Sequence, residues 1–235
     1  RFSDAFPADI AIHGDARIAC TQLIEALDGL KIGTASSDTV AVLEKVRARQ
    51  FADYTAVERQ HIMLLELLRE EVPDNGIIMG DIAQLVYTGT AAMKTLLPRT
   101  WFYPAGFGTL GCALPDAIGA KLALPQIQVL ALVGDGGFMF TVNELATAVE
   151  ESLSIPVIIW HNHSYAMIRD GMIKRGIPTI GVNPVAPDFV KLADAFGCPG
   201  RNVRNESEFR DALRKAFDHA GPSLIIVTEN DPWLV

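Results

Sequence analysis

Two short apolar runs constrain the fold more than any other part of the chain. They are Val129-Leu-Ala-Leu-Val-Gly-Asp-Gly-Gly-Phe138 and Ile155-Pro-Val-Ile-Ile-Trp-His-Asn162, and each breaks into polar residues at its C-terminal end. A strand buried on both faces of a parallel sheet has this pattern, and it delivers its terminal side chains to a crevice at the sheet's carboxyl edge. Asp135 and Asn162 are therefore expected to be neighbours. Between the runs, residues from about Thr141 to Glu151 read as a helix, and Thr141-Val-Asn-Glu144 fits a capping box at its start.

The same alternation runs through most of the chain. Ile77-Ile-Met-Gly-Asp81 is the first convincing buried strand and Ser223-Leu-Ile-Ile-Val-Thr228 the last. Helices are predicted over Ala113–Leu124, Tyr165–Lys174, Asp188–Phe196 and Glu206–Ala220, the last with Phe209, Leu213 and Phe217 on one face. Strands alternating with helices at this spacing imply an α/β fold, a doubly wound parallel sheet with helices on both faces and right-handed crossovers. Further upstream, Val40–Arg49 and Ala56–Glu71 read as helices. Phe6 to Asp15 reads as a short strand and turn, and Ala16–Leu30 as a helix. A strand and a helix without partners cannot form a core, so this start is expected to be the tail of a central α/β domain. The expected division is residues 1–32 as that remnant, 33–55 as a linker (Gly33 to Asp38) and helix, and 56–235 as the main domain.

Composition narrows the function classes. Of the 235 residues 49% are hydrophobic and 20% charged, as in a soluble globular protein. The net charge of −8 includes no block of Lys or Arg, which excludes nucleic acid and an anionic membrane as expected partners. No apolar run approaches the roughly 20 residues of a membrane helix, and the N-terminus lacks a secretory apolar core, so a cytoplasmic location is expected. Cys20, Cys112 and Cys198 are widely spaced and odd in number, which points to three buried thiols and not to a disulfide framework or a structural zinc site.

Gly106-Phe-Gly-Thr-Leu-Gly111 matches the G-x-G-x-x-G pattern of dinucleotide-binding folds. What precedes it is not an apolar strand, however, and the next strand-ending acid, Asp135, lies beyond the about 20 positions usual for a ribose-binding carboxylate. Gly134-Asp-Gly-Gly137 differs in kind. Its glycines leave backbone N–H groups free to approach an anion while Asp135 holds a hard cation beside it, and Asn162 can add a neutral oxygen. Taken alone, the tripeptide fits a tight turn after a core strand equally well. His161 and His163 have no third ligand nearby in sequence, which argues against zinc.

The joint pattern is more specific. Gly-Asp-Gly, then 27 positions from Asp135 to Asn162 across a helix and a buried strand, resembles the cofactor-binding motif of the thiamine diphosphate-dependent enzymes. The likeness is greatest to the acetolactate synthase, pyruvate oxidase and benzoylformate decarboxylase group. It extends from about Phe6 to the C-terminus and takes in Leu114-Pro115 after the glycine loop. The resemblance implies thiamine diphosphate and magnesium as cofactors. It makes Asp135, the Asn162 side chain and the Ser164 carbonyl the metal ligands, and it places Gly136, Gly137 and Gln84 on the diphosphate, with Tyr165 and Asn162 also among the cofactor contacts. Leu110 would prop the cofactor in its bent form while Gly108 offers its carbonyl to the pyrimidine 4′-amino group.

The pattern also departs from the family. His161-Asn162 stands where Asn-Asn is common, Ala166 where glycine is frequent, and the stretch after Ile168 lacks the tryptophan of many acetolactate synthases. No catalytic residue is assigned here, because the family's activating glutamate belongs to an N-terminal domain of the partner subunit. The expected function is the cofactor-binding domain of a 2-oxo acid decarboxylase or carboligase, inactive by itself and homodimeric or homotetrameric when whole. A non-catalytic cofactor-binding or assembly subunit is the rival reading, and a dinucleotide-dependent oxidoreductase the third.

Overall fold

A computed structural model describes residues 7–30 and 37–234. The chain divides into two compact units, Arg1–Ala52 and Asp53–Val235. In the first, Asp15 caps α1 (Ala16–Leu27) by accepting from the Ile18 N–H at 3.0 Å. Residues 7–15 form no strand, contrary to the sequence expectation. A strand needs a neighbour for its backbone groups, and the described residues of this unit supply none; Phe6 itself lies outside them. Helix α2 (Ser37–Asp53) is longer at both ends than the predicted Val40–Arg49. Of the predicted linker, residues 33–36 lie outside the described residues, while Ser37 and Asp38 begin α2.

The second unit opens with α3 (Ala56–Glu71), whose Thr55 and Glu58 form a reciprocal capping box. It continues through β1 (Ile77–Gly80), α4 (Gln84–Ala92), β2 (Trp101–Phe102), α5 (Ala113–Ala123) and β3 (Val129–Gly134). Then come α6 (Asp135–Phe138), α7 (Glu144–Glu150), β4 (Ile155–His161), α8 (Ala166–Lys174) and α9 (Phe189–Ala195), followed by β5 (Gly200–Asn202), α10 (Glu206–Asp218) and β6 (Pro222–Thr228). The strands form one sheet in the order β2-β1-β3-β4-β6-β5, every pair parallel. This is the expected doubly wound sheet. Sequence reasoning missed β2 and β5. Both are edge strands, β2 with two residues too short to leave an apolar run and β5 with three residues, Gly-Arg-Asn, also too polar.

Successive residues of β3 explain the two covered faces. Val129, Ala131 and Val133 join a core with Leu114, Ala117, Leu145 and Phe189 from α5, α7 and α9. Leu130 and Leu132 point the other way, into a core with Leu64, Leu68, Phe209 and Leu213 from α3 and α10. Burying each such large aliphatic or aromatic side chain contributes about 1.5–3 kcal/mol. From β1 the chain steps outward to β2, then returns across β1 to β3 and continues in the opposite direction. That reversal opens a crevice at the carboxyl ends of β1 and β3, where doubly wound sheets bind ligands. Among the described residues no helix is long and apolar enough to cross a membrane.

Helices α3 and α10 are joined by ion pairs on Glu71, whose side chain is only 7% exposed. Its Oε2 lies 2.6 Å from Arg214 Nε, and its Oε1 lies 2.7 Å from Arg214 Nη2 and 2.8 Å from Arg210 Nη1. The Arg214 and Arg210 guanidinium groups outweigh burial and hold the Glu71 carboxyl below its ordinary range. A lowered carboxylate pKa contributes stability above its unfolded value, about 4.3, and the contribution is lost as pH falls through the folded value. Arg214 is largely exposed, so the network is expected to contribute only about 1 kcal/mol. Glu71→Gln should therefore lower the melting temperature at pH 7 by about 2–4 °C, with the difference vanishing toward pH 3 in circular dichroism melts.

Candidate functional site

Asp135 follows directly on β3 and opens the four-residue helix α6 with its side chain 3% exposed. Its Oδ1 accepts from the Gly136 N–H at 2.7 Å. Its Oδ2 accepts from the backbone N–H groups of Asn162 (3.1 Å) and His163 (2.6 Å) and meets His161 Nδ1 at 2.9 Å. A carboxylate only accepts, so Nδ1 carries the hydrogen there. Three donors occupy Oδ2, which leaves Oδ1 with acceptor capacity to spare. His163 has a φ of 55°, and this left-handed residue curls the end of β4 around the carboxylate. The rings of His161 and His163 lie 3.9 Å apart, with His161 engaged by Asp135.

Asn162 sits beside Asp135 as the two strand ends require. Its Oδ1 accepts from the Ser164 N–H at 3.2 Å and from the Ser164 hydroxyl at 3.4 Å, and its Nδ2 donates to Gln84 Oε1 at 3.4 Å. Gln84 is the first residue of α4, immediately beyond β1. The Tyr165 ring packs over Gly136, where an added Cβ would lie 2.4 Å from Tyr165 Cε1. At Gly137 a Cβ would lie 2.8 Å from Asp81 Oδ2 and 3.5 Å from Leu110 Cδ2. Neither position has room for a side chain.

The glycine loop is held by a residue that sequence reasoning left without a role. Asp81, fully buried at the end of β1, accepts from the Gly111 N–H at 2.8 and 3.0 Å and from the Ile82 N–H at 2.7 Å. On the other side, the Thr141 hydroxyl donates to the Gly111 carbonyl at 2.7 Å. Gly111 (φ 85°) and Gly108 (φ 75°) take left-handed conformations suited to glycine. Burial raises the Asp81 carboxyl above its ordinary range and, with Asp81 and Asp116 nearby, pushes the Cys112 thiol up to about 12. The signal for Asp81 was present in the sequence, since β1 also ends in Gly-Asp. Only the fold shows which backbone groups it meets.

Two sequence expectations are corrected here. Thr141-Val-Asn-Glu144 forms no capping box: α7 starts at Glu144 and its preceding residue, Asn143, makes no side-chain cap. The Thr141 hydroxyl is instead committed to Gly111, and the Glu144 carboxylate accepts from Asn143 Nδ2 and the Thr147 hydroxyl. The three thiols also differ from one another, with Cys198 buried, Cys112 half-buried and Cys20 exposed on α1.

Gln84, Gly108, Leu110, Asp135, Gly136 and Gly137 line a single cavity of about 200 Å³, together with Asn162, Ser164 and Tyr165. Every residue for which the resemblance implies a cofactor or metal contact thus lines one cavity, and Tyr87, Trp160, Met167 and Ile168 are among the rest of its lining. Among the described residues no three His, Cys, Asp or Glu side chains converge as a metal site. Asp135 and Asn162, which line the cavity together, carry a carboxylate and an amide, oxygen donors of the hard kind that magnesium takes. Gly136 and Gly137 present bare backbone to the cavity beside Asp135, an approach suited to an anion next to a hard cation, so the residues present fit a magnesium-bound diphosphate.

Fold and cavity together define a cofactor-binding domain of the doubly wound class, with its site at the switch point of the sheet. Residues 81–227 match the family described as thiamine pyrophosphate enzyme, C-terminal TPP binding domain. The chain belongs to this thiamine pyrophosphate enzyme family. It is 38% identical over 226 residues to the "Probable 2-ketoarginine decarboxylase" of Pseudomonas aeruginosa, covering 96% of this chain and 40% of that one. It is 33% identical to the acetolactate synthase of Bacillus subtilis, covering 75% of this chain and 31% of the relative. Among solved structures, the thiamine diphosphate-dependent 4-hydroxybenzoylformate decarboxylase of Rhodococcus jostii superposes with a TM-score of 0.67 at 30% identity, over 72% of this chain and 32% of that one. The benzoylformate decarboxylase of Polynucleobacter necessarius, at 23% identity, shares the fold with a TM-score of 0.65, over 73% of this chain and 33% of that one. The chain thus spans about a third to two fifths of the length of these curated relatives.

Proposed function

We propose that the chain is the diphosphate-binding part of a thiamine diphosphate-dependent 2-oxo acid decarboxylase or carboligase. The observation that carries this reading is the cavity in which Asp135, Gly136 and Gly137 from the end of β3 face Asn162 and Ser164 from the end of β4. In this reading Asp135, the Asn162 amide oxygen and the Ser164 carbonyl hold magnesium. The backbone of Gly136 and Gly137 carries the diphosphate, with Gln84 beside it. Gly108 and Leu110 orient the pyrimidine and thiazolium ends, and Tyr165 closes the wall over Gly136. When bound, the cofactor supplies the electron sink that makes loss of carbon dioxide from a 2-oxo acid feasible. This chain's residues bind and orient that group and exclude water from it.

The activating carboxylate is assigned to another domain, presented by a partner subunit in a homodimer or homotetramer, so residues 1–235 alone are inactive. The 38% identity to a protein named as a 2-ketoarginine decarboxylase makes 2-ketoarginine the first substrate to assay, with pyruvate next. Calorimetric titration of thiamine diphosphate into the whole protein is expected to give binding heat with magnesium and none with EDTA. Tight NADH binding indifferent to magnesium would overturn the reading in favour of an oxidoreductase. Cofactor binding without turnover of any 2-oxo acid would favour the non-catalytic subunit, and decarboxylation by residues 1–235 alone would refute the assignment of the activating group elsewhere.

A further inference from the structure

Glu229 lies one residue beyond β6, at the same carboxyl edge as the cavity, and none of the roles assigned so far uses it. Its backbone N–H donates to the His161 carbonyl at 3.0 Å, which continues the pairing of β4 with β6 up to the strand ends. Its Oε2 accepts from Trp160 Nε1 at 2.9 Å and from Asn162 Nδ2 at 3.3 Å. Trp160 is 1% exposed on a central strand, so its indole N–H points in a fixed direction, and that group can only donate.

The amide oxygen and nitrogen of Asn162 are nearly the same size, so packing alone does not decide which one faces the cation. Gln84 does not decide it either, because its own amide can turn over and present a donor. A carboxylate has no such freedom, since both of its oxygens accept. Two groups that cannot reverse their roles hold the amide from opposite ends. The Ser164 N–H donates to Oδ1 at 3.2 Å, and Glu229, held by Trp160, draws Nδ2 to itself, which keeps Oδ1 on the side of Ser164, the other proposed ligand.

We infer that Glu229 is a positioning residue for the cation site, the middle member of a Trp160–Glu229–Asn162 relay that fixes the Asn162 amide with its oxygen toward the metal. The inference rests on the proposed role of Asn162 as a metal ligand. A single oxygen takes both hydrogen bonds, so the relay needs an acceptor at that point and not a negative charge. Glu229→Gln can supply the acceptor; Glu229→Leu, of similar length, cannot.

The test is a magnesium titration of the whole protein at saturating thiamine diphosphate, read by calorimetry and by tryptophan fluorescence. Glu229→Leu is expected to weaken magnesium binding by about 10–100-fold, the range for groups that orient a metal ligand, while Glu229→Gln stays within about threefold of the parent. Trp160→Phe, which removes the anchoring donor but keeps an aromatic ring, is expected to weaken binding severalfold, and it decides the matter if Glu229→Leu fails to fold. Parent-like magnesium affinity in Glu229→Leu, or in Trp160→Phe where that variant decides, overturns the inference. So does an equal loss in Glu229→Gln and Glu229→Leu, because charge and not orientation would then be what counts. A parent protein that binds no magnesium and thiamine diphosphate overturns the proposed function itself and this inference with it.

Discussion

Asp135→Ala is expected to abolish magnesium-dependent binding of thiamine diphosphate, with a loss of at least about 100-fold, the upper end of what supporting residues alone cost. Asp135 is the one carboxylate among the proposed ligands. It is also the common acceptor for the N–H groups of Gly136, Asn162 and His163 and for His161 Nδ1. Its removal deletes a ligand and releases the loop that carries the other two. Leaving several buried donors without a partner should in addition destabilise the domain by about 2–4 kcal/mol. Asp135→Asn keeps the size but turns one oxygen into a donor, which must face either Gly136 N–H or the three groups on Oδ2. Calorimetry with thiamine diphosphate and magnesium measures the loss. Binding within tenfold of the parent in Asp135→Ala would contradict the role given to this residue.

The second large effect is expected at Asp81, away from the metal ligands. Asp81→Ala leaves the buried Gly111 N–H and the Ile82 N–H without their acceptor and should cost about 3 kcal/mol, or roughly 6–12 °C in melting temperature. The glycine loop that carries Leu110 loses its tie to β1, so cofactor affinity should fall together with stability. The pH dependence has a definite sign. Burial raises the Asp81 carboxyl, so the folded state binds its proton more tightly than the unfolded chain. The stability contributed by this group is fully present below the unfolded value of about 3.9 and declines as pH rises through the raised folded value. The melting difference between parent and Asp81→Ala should therefore narrow as pH rises from 3.5 to 7, opposite to the trend at Glu71. A difference that widens with pH would show that charge–amide bonding dominates burial at Asp81.

The central strands were legible in the sequence because a strand covered on both faces must be apolar throughout, as Val129–Val133 and Ile155–Trp160 are. The edge strands β2 and β5 were not, since a two- or three-residue strand at a solvent edge carries no such requirement. The proposed clamp was legible for a related reason: Asp135 and Asn162 each end a buried run, and adjacent parallel strands bring such ends together. Side-chain direction was not. Thr141-Val-Asn-Glu144 has the composition of a helix cap, yet the Thr141 hydroxyl goes to Gly111, 30 residues earlier. Asp81 and Glu229 likewise look like ordinary strand-end acids until the sheet order sets the glycine loop against one and Trp160 with Asn162 against the other. The short strand and turn expected over Phe6–Asp15 show the converse, a local preference with no strand to pair with among the described residues.

Gly136 and Tyr165 have a consequence that reaches past binding. The ring of Tyr165 occupies the volume that a Cβ at 136 would need, so the two positions share a single space. They are constrained jointly, and substitution tolerance scored at one of them in isolation describes only the background set by the other. A lineage that gave up the aromatic ring would gain freedom at 136, while one that keeps the ring is confined to glycine there. The narrowness of the cavity wall there is thus a property of a residue pair and not of either position alone.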